Sequence, residues 1–162
     1  MNVLLSDQYC KNLPDQNISS QRMKPRKSYI LDNQVGHLLR RVNQRHTGIF
    51  SNVMRSDLTP TRFAAMAKLL EHGSLSQNEL GRMTAMDIAT IKGVVDRLRE
   101  RKLIKSRKDP TDARRQLISL TQKGNEMMQD AIPDASEVTA QTVEPLTKSE
   151  ASQLIKLLKK IV

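Results

Sequence analysis

The stretch SRKDPTDARRQLISLT, residues 106–121, gathers cations on both sides of a Pro/Asp turn. Guanidinium groups at such a turn do little covalent chemistry, because arginine stays protonated and only donates. They are suited to meeting an anion, and especially the negative potential of a nucleic-acid groove. Between Arg97 and Arg115 the cations are Arg97, Arg99, Arg101, Lys102, Lys105, Arg107, Lys108, Arg114 and Arg115, against Glu100, Asp109 and Asp112. A hairpin tip thin enough for a minor groove about 6 Å wide would insert Arg114, with Lys108 and Arg115 beside it. Asp112 is placed to hold Arg114 ready through a carboxylate pair. The plainer reading is that Asp109 and Asp112 only make the turn and the arginines keep it soluble.

Covalent chemistry is poorly supplied elsewhere. His37, His46 and His72 form no HExxH or other metal spacing, and the chain has neither a glycine-rich phosphate loop nor a nucleophile elbow. Cys10 is the sole cysteine, which excludes a disulfide framework and a cysteine-based metal site and fits a reducing cytoplasm. The expectation is a protein that is not an enzyme and needs no metal or cofactor. Oxidation of Cys10 is an alternative switch with little support, since Lys11 is its only basic neighbour.

Charge and aromatic content narrow the partner. The formal charge is +10, which suggests a polyanion, while Tyr9, Tyr29, Phe50 and Phe63 lie far apart in sequence. Proteins that read single strands and RNA loops stack bases on clustered aromatics, so double-stranded DNA read by helices fits better. No apolar run approaches the roughly 20 residues that cross a bilayer. The N-terminus lacks a signal-peptide pattern. A cytoplasmic protein without a membrane partner is expected.

The elements that must position these cations follow from periodicity and caps. Residues 1–29 read as a polar tail, partly ordered against a partner chain. A helix is expected from about Asp32 to Met54, with Leu39, Val42, Ile49 and Val53 on one stripe. Thr59, Pro60 and a Leu58–Phe63 staple start a helix that should stop at Gly73. Ser76 and Glu79 form a capping box for a short helix over 76–82, and Asp87 caps the next, over 87–101. LIKS and RQLISLT read as two strands of one hairpin. A helix from Thr121 should be bent or interrupted at Pro133 and end near Val143. Thr147 and Glu150 cap a last helix whose stripe is Leu154, Leu157, Leu158 and Ile161.

The pair of helices at 76–82 and 87–101 has helix-turn-helix spacing, in which the first braces the second in the major groove. Ile91, Val94, Val95 and Leu98 face inward; Ala89, Thr90, Lys92, Gly93, Asp96 and Arg97 face out. Ala89 and Gly93 permit close approach, Thr90 can meet a base or phosphate, and Lys92 and Arg97 neutralise phosphate. Ser76 and Gln77 begin the bracing helix and complete the expected DNA-binding set. A charged outer face is also what simple solvation produces; the basic hairpin beside it favours DNA.

The segment LSQNELGRMTAMDIATIKGVVDRLRERKLIKSRKDPTDARRQLISLTQKG resembles the winged helix-turn-helix of the MarR family of bacterial transcription regulators. The matching features are Asp112-x-Arg114, SLTQKG leading into a helix, and DRLRERKLI closing the recognition helix. Lys102 stands where the family usually has glycine. The likeness extends loosely from about residue 35 to the C-terminus. It implies a mainly α fold with one β-hairpin wing: a single domain over 30–162, its winged helix-turn-helix at about 58–121 and dimerisation helices at about 30–54 and 122–162. It further implies a homodimer on a pseudo-palindromic operator, released by a small aromatic acid or by oxidation. TAMDIATIKGVVDRL is similar to the branch controlling breakdown of nicotinate and related aromatic acids.

A dimer also follows from geometry, since specific affinity requires two half-sites about one helical turn apart. The stripe from Leu154 to Ile161 either meets that partner or packs within its own chain. For an effector, His46 lies on the apolar stripe of the first long helix, with Phe50, Phe63 and Met66 available as walls. His37 and Arg41, one turn apart, could reach an anion presented by another helix or subunit. All these residues have ordinary structural or surface roles as alternatives. The competing function is a non-specific architectural DNA-binding protein without a ligand switch, supported by charge alone.

Overall fold

The computed structural model describes residues 29–112 and 114–162; the proposed tail up to residue 28, with Cys10, lies outside them. A short 3-10 turn, Leu31–Asn33, precedes α1, Val35–Val53; extended Gln34 separates the two, so the helix starts slightly later than its apolar pattern. α2, Pro60–His72, begins where the Thr59 hydroxyl accepts from the Arg62 amide and ends at Gly73, whose φ of 76° lies in the left-handed region. α3, Gln77–Met83, and α6, Lys148–Leu158, both carry the expected reciprocal capping boxes. α4 spans Ile88–Glu100 under the Asp87 cap, and α5 spans Gln122–Val143 under the Thr121 cap.

Two expectations are corrected. The sheet has three antiparallel strands rather than two: β1, Ser74–Ser76, pairs with β3, Gln116–Leu120, which pairs with β2, Ile104–Lys108. β1 is too short to display alternation, and its last residue is also the cap of α3. The second correction concerns Pro133, which sits inside an uninterrupted α5. Its missing N–H costs one helical bond, at the carbonyl of Gln129; both residues are exposed, so water can satisfy that group.

The core lies where α2, α3 and α4 pack over the sheet and the first half of α5. Met66, Leu69, Leu80, Ile91, Leu98, Leu103 and Met128 are all essentially inaccessible there. Each such side chain contributes roughly 1.5–3 kcal/mol of burial. Gly124, in the first turn of α5, must be glycine, because a β-carbon would run into the carbonyl oxygen of Leu103. That same oxygen accepts from the Thr121 amide, which fixes α5 against the end of α4.

α1 packs along α5 and forms a second layer. Its apolar stripe divides in two: Ile49 and Val53 join the core, but Val35, Leu38, Leu39 and Val42 are exposed. Leu157 and Leu158 on α6 and Ile161 just beyond it are likewise exposed, so the described residues leave this stripe largely uncovered.

The candidate DNA interface and ligand-facing residues

α3 braces α4 through a tight turn. The amide of Met86 donates to the Gly81 carbonyl at 2.9 Å, and the Thr84 hydroxyl donates to Leu80 at 2.6 Å. Ala85 takes φ 52° at the reversal. α4 then presents Ile91, Val94, Val95 and Leu98 to the core and leaves Ala89, Thr90, Lys92 and Arg97 exposed. Gly93 is half-buried, and, its chain neighbours and its own helix backbone aside, no described residue lies within 4 Å of where its β-carbon would be.

Thr90 is more constrained than its type suggests. Its amide and hydroxyl both donate to the Asp87 carboxylate, at 2.7 and 3.0 Å, and these bonds hold that carboxyl below its usual range. With its single proton committed, the hydroxyl oxygen can only accept from a partner outside the chain.

The wing tip is built by two aspartates. Asp109 accepts from the Thr111 amide and hydroxyl at 2.9 and 2.7 Å. Asp112 accepts from the backbone amide of Arg114 at 2.9 Å, and its carbonyl accepts from the Arg115 amide at 2.9 Å. The expected carboxylate–guanidinium pair is therefore corrected: Asp112 grips the backbone of Arg114 and leaves its side chain exposed at the tip. Short-range geometry favours this outcome, because a carboxylate two residues upstream reaches an amide more easily than a long side chain.

The cations separate into two groups. Arg99 pairs with Asp96 at 2.9 Å, and Arg101 pairs with Asp57 at 3.4 Å and donates to the Asp57 carbonyl. Arg115 turns inward to pair with Glu79, while also reaching Ser76 at 3.4 Å and Asp109 at 3.8 Å. Lys92, Arg97, Arg107, Lys108 and Arg114 are exposed and make no ion pair among the described residues. Ser76, Gln77, Asp112, Arg114 and Arg115 line one cleft of about 510 Å³ between α3 and the wing, so the structure does bring these expected residues together.

The Arg115–Glu79 pair was not visible in sequence, where Glu79 already has a complete role in its capping box. Arg115, with help from the Ser76 amide and hydroxyl, lowers the Glu79 carboxyl to about 2.

On the other side of the molecule, His46 Nδ1 lies 2.9 Å from the hydroxyl of Thr142 on α5. That hydroxyl lies 2.7 Å from the Val138 carbonyl; when it donates there, a neutral His46 carries its proton on Nδ1 and presents Nε2 as an acceptor. Phe50 meets Phe63 edge to face with centroids 6.0 Å apart. Both Phe50 and Met66 are buried in the core rather than lining open space. His37 and Arg41 converge on Asp32, at 3.4 and 3.8 Å. Nine residues of helix, about 13 Å, separate His37 from His46, so they belong to different places.

A further cleft of about 500 Å³ is lined by Arg55, Ser56, Met127, Gln129, Asp130, Pro133 and Asp134. Arg55 donates three side-chain bonds, at 2.6–3.2 Å, and its backbone amide, at 2.9 Å, to Asp134. Asp134 is 6% exposed, and this pairing holds its carboxyl below the usual range. No spacing in the sequence foretells a pair so distant along the chain.

A braced outward helix followed by a cationic hairpin defines a winged helix-turn-helix DNA-binding protein. Residues 58–115 match the MarR family. The chain is 38% identical to the HTH-type transcriptional repressor NicR of Pseudomonas putida, over 83% of this chain and 85% of that protein. Among solved structures, a probable transcriptional regulator from Pseudomonas aeruginosa is 44% identical, with a TM-score of 0.80 over 82% of this chain and all of that one. BpsR of Bordetella bronchiseptica, whose DNA binding is regulated by 6-hydroxynicotinic acid, is 37% identical, with a TM-score of 0.79 over 83% of this chain and 96% of its own. The chain belongs to the MarR family and is a DNA-binding transcription regulator. Among the described residues no helix is long and apolar enough to cross a membrane.

Proposed function

We propose that the protein is a homodimeric cytoplasmic repressor, without catalytic activity, that binds a pseudo-palindromic operator and is released by a small hydroxylated aromatic acid. The observation that carries the DNA reading is that α4 and the wing bring together five exposed cations with no ion pair among the described residues: Lys92, Arg97, Arg107, Lys108 and Arg114. Lys92 and Arg97 neutralise phosphate, Ala89, Thr90 and Gly93 face the bases, and Arg114 enters the minor groove. Arg115, through Glu79 and Ser76, holds the wing against α3, and Gln77 and Asp112 line the cleft between them. Exposed apolar residues on α1 and α6 supply the contact between subunits. In this assignment residues 58–121 bind DNA and the helices over 30–54 and 122–162 make the dimer.

The effector class rests on the similarity to NicR and to BpsR, the latter controlled by 6-hydroxynicotinic acid. His46 offers Nε2 as an acceptor for a ring N–H or hydroxyl of such a ligand, beside Phe50 and Phe63, while His37 and Arg41 form a separate candidate anion site. Ligand would favour a dimer whose recognition helices no longer match successive major grooves.

Footprinting of the DNA beside the gene should show a discrete protected palindrome, which 6-hydroxynicotinic acid and related acids abolish. A uniform coat would instead indicate an architectural protein. His46→Ala should lessen release more than it lessens binding; an unchanged ligand response removes His46 from the effector site.

A further inference from the structure

The first turn of α4 differs chemically from the rest of that helix. Ile88 is 77% exposed, and among the described residues only Val162 at the chain end exposes more of a large apolar side chain. An isolated exposed isoleucine is ordinary on a protein surface, so its setting has to decide. From Asp87 to Ile91 there is no cation; Lys92 is the first. Asp87 is engaged by the amide and hydroxyl of Thr90 and keeps its negative charge, which disfavours phosphate nearby. This turn is therefore fitted to base edges rather than to backbone, and in a helix-turn-helix the N-terminal residues of the second helix are those that reach base edges. It offers the methyl surfaces of Ile88 and Ala89 and the accepting oxygen of Thr90. The one apolar group that unmodified base pairs display in the major groove is the 5-methyl of thymine.

We propose that Ile88 is a specificity-determining residue that reads a thymine 5-methyl group in each operator half-site. The inference rests on the DNA-binding mode assigned above. Covering one methyl is worth about fourfold in affinity, and two half-sites together more than tenfold.

The test uses the footprinted duplex and the same duplex made with deoxyuridine in place of every thymidine, which removes only the methyl groups. Wild-type full-length protein should bind the uracil duplex about tenfold more weakly. Ile88→Ala should bind the thymine duplex with a similar loss and then be almost indifferent to uracil replacement; Ile88→Val should fall between. Because the side chain is exposed, these variants should melt like the wild type. Equal wild-type affinity for the two duplexes, or a full uracil penalty retained by Ile88→Ala, overturns the assignment. Failure of the wild type to bind any thymine duplex would instead overturn the DNA-binding mode beneath it. Single uracil replacements then locate the methyl that is read.

Discussion

Arg115 at the base of the wing and Glu79 in the first turn of α3 form an ion pair that joins the two DNA-facing parts of the molecule. Glu79 simultaneously closes its capping box, accepting from the Ser76 amide at 2.9 Å. The wing is thereby fastened to the start of the helix-turn-helix, and Arg115 acts as a positioning residue. Arg115→Gln and Glu79→Gln should each weaken operator binding about three- to tenfold, with the double variant little worse than either single one. Were Arg115 a direct phosphate contact, its loss would lower the salt dependence while Glu79→Gln left affinity unchanged. The Glu79 carboxyl is lowered from 4.5 to about 2 in the folded chain. Its contribution is thus complete above the unfolded value and lost as pH falls through the folded one, so this pair adds no pH dependence between about 5 and 8.

Lys92 and Arg114 should respond differently to substitution. Lys92→Ala should reduce affinity for all duplexes and flatten the salt dependence by about one unit. Arg114→Ala should weaken operator binding and diminish A·T preference where the wing lies. An unchanged salt slope in Lys92→Ala places that ammonium away from the backbone.

Gly93 occupies a helix interior with open space above it. Gly93→Ala should raise helix stability by about 1 kcal/mol, or roughly 2–4 °C in melting temperature. Close approach to the groove would be lost, and operator affinity should fall about tenfold, the scale of one displaced base contact. Opposite signs in melting and binding experiments are the signature; a variant that is more stable and binds equally well removes Gly93 from the interface.

Lys102 has φ 58°, in the region that favours glycine. Left-handed backbone costs a side-chain-bearing residue about 1–2 kcal/mol, partly offset by the greater unfolded freedom of glycine. Lys102→Gly should therefore stabilise the fold by about 0.5–1 kcal/mol. Chemical denaturation measures this directly.

Asp134 is buried and bonded four times by Arg55. Asp134→Asn should lower the melting temperature at neutral pH. With its folded pKa below the usual value, the wild-type carboxylate stabilises above about 4 and loses that effect as pH falls through the folded value. The variant should show a shallower acid dependence in melting curves recorded across that range.

Much of the architecture was legible because it is written in local signals. Thr59, Ser76, Asp87, Thr121 and Thr147 all cap the helices their spacing announces. The left-handed φ of Lys102 also explains why glycine usually stands there in the family that this sequence resembles. What escaped was long-range or double in purpose. β1 exists only through β3, and Glu79 hides its partnership with Arg115 behind its cap. Arg55 and Asp134 lack any sequence relation. Ile88 in sequence is only one more aliphatic residue of α4 beside Ile91, Val94 and Val95, and its exposure sets it apart.

The segment between α1 and α2 is moored at both ends of the molecule's mechanical span: Arg55 holds α5 through Asp134, and Asp57 is held by Arg101 at the end of α4. α4 is a rod about 20 Å long with its base-facing tip at the opposite end. A tilt of about 5° pivoting near Arg101 sweeps Ile88 through nearly 2 Å, roughly the difference between touching a methyl group and missing it. A modest slip of α5 against α1 would thus be geared up at the groove, without any rearrangement inside the core.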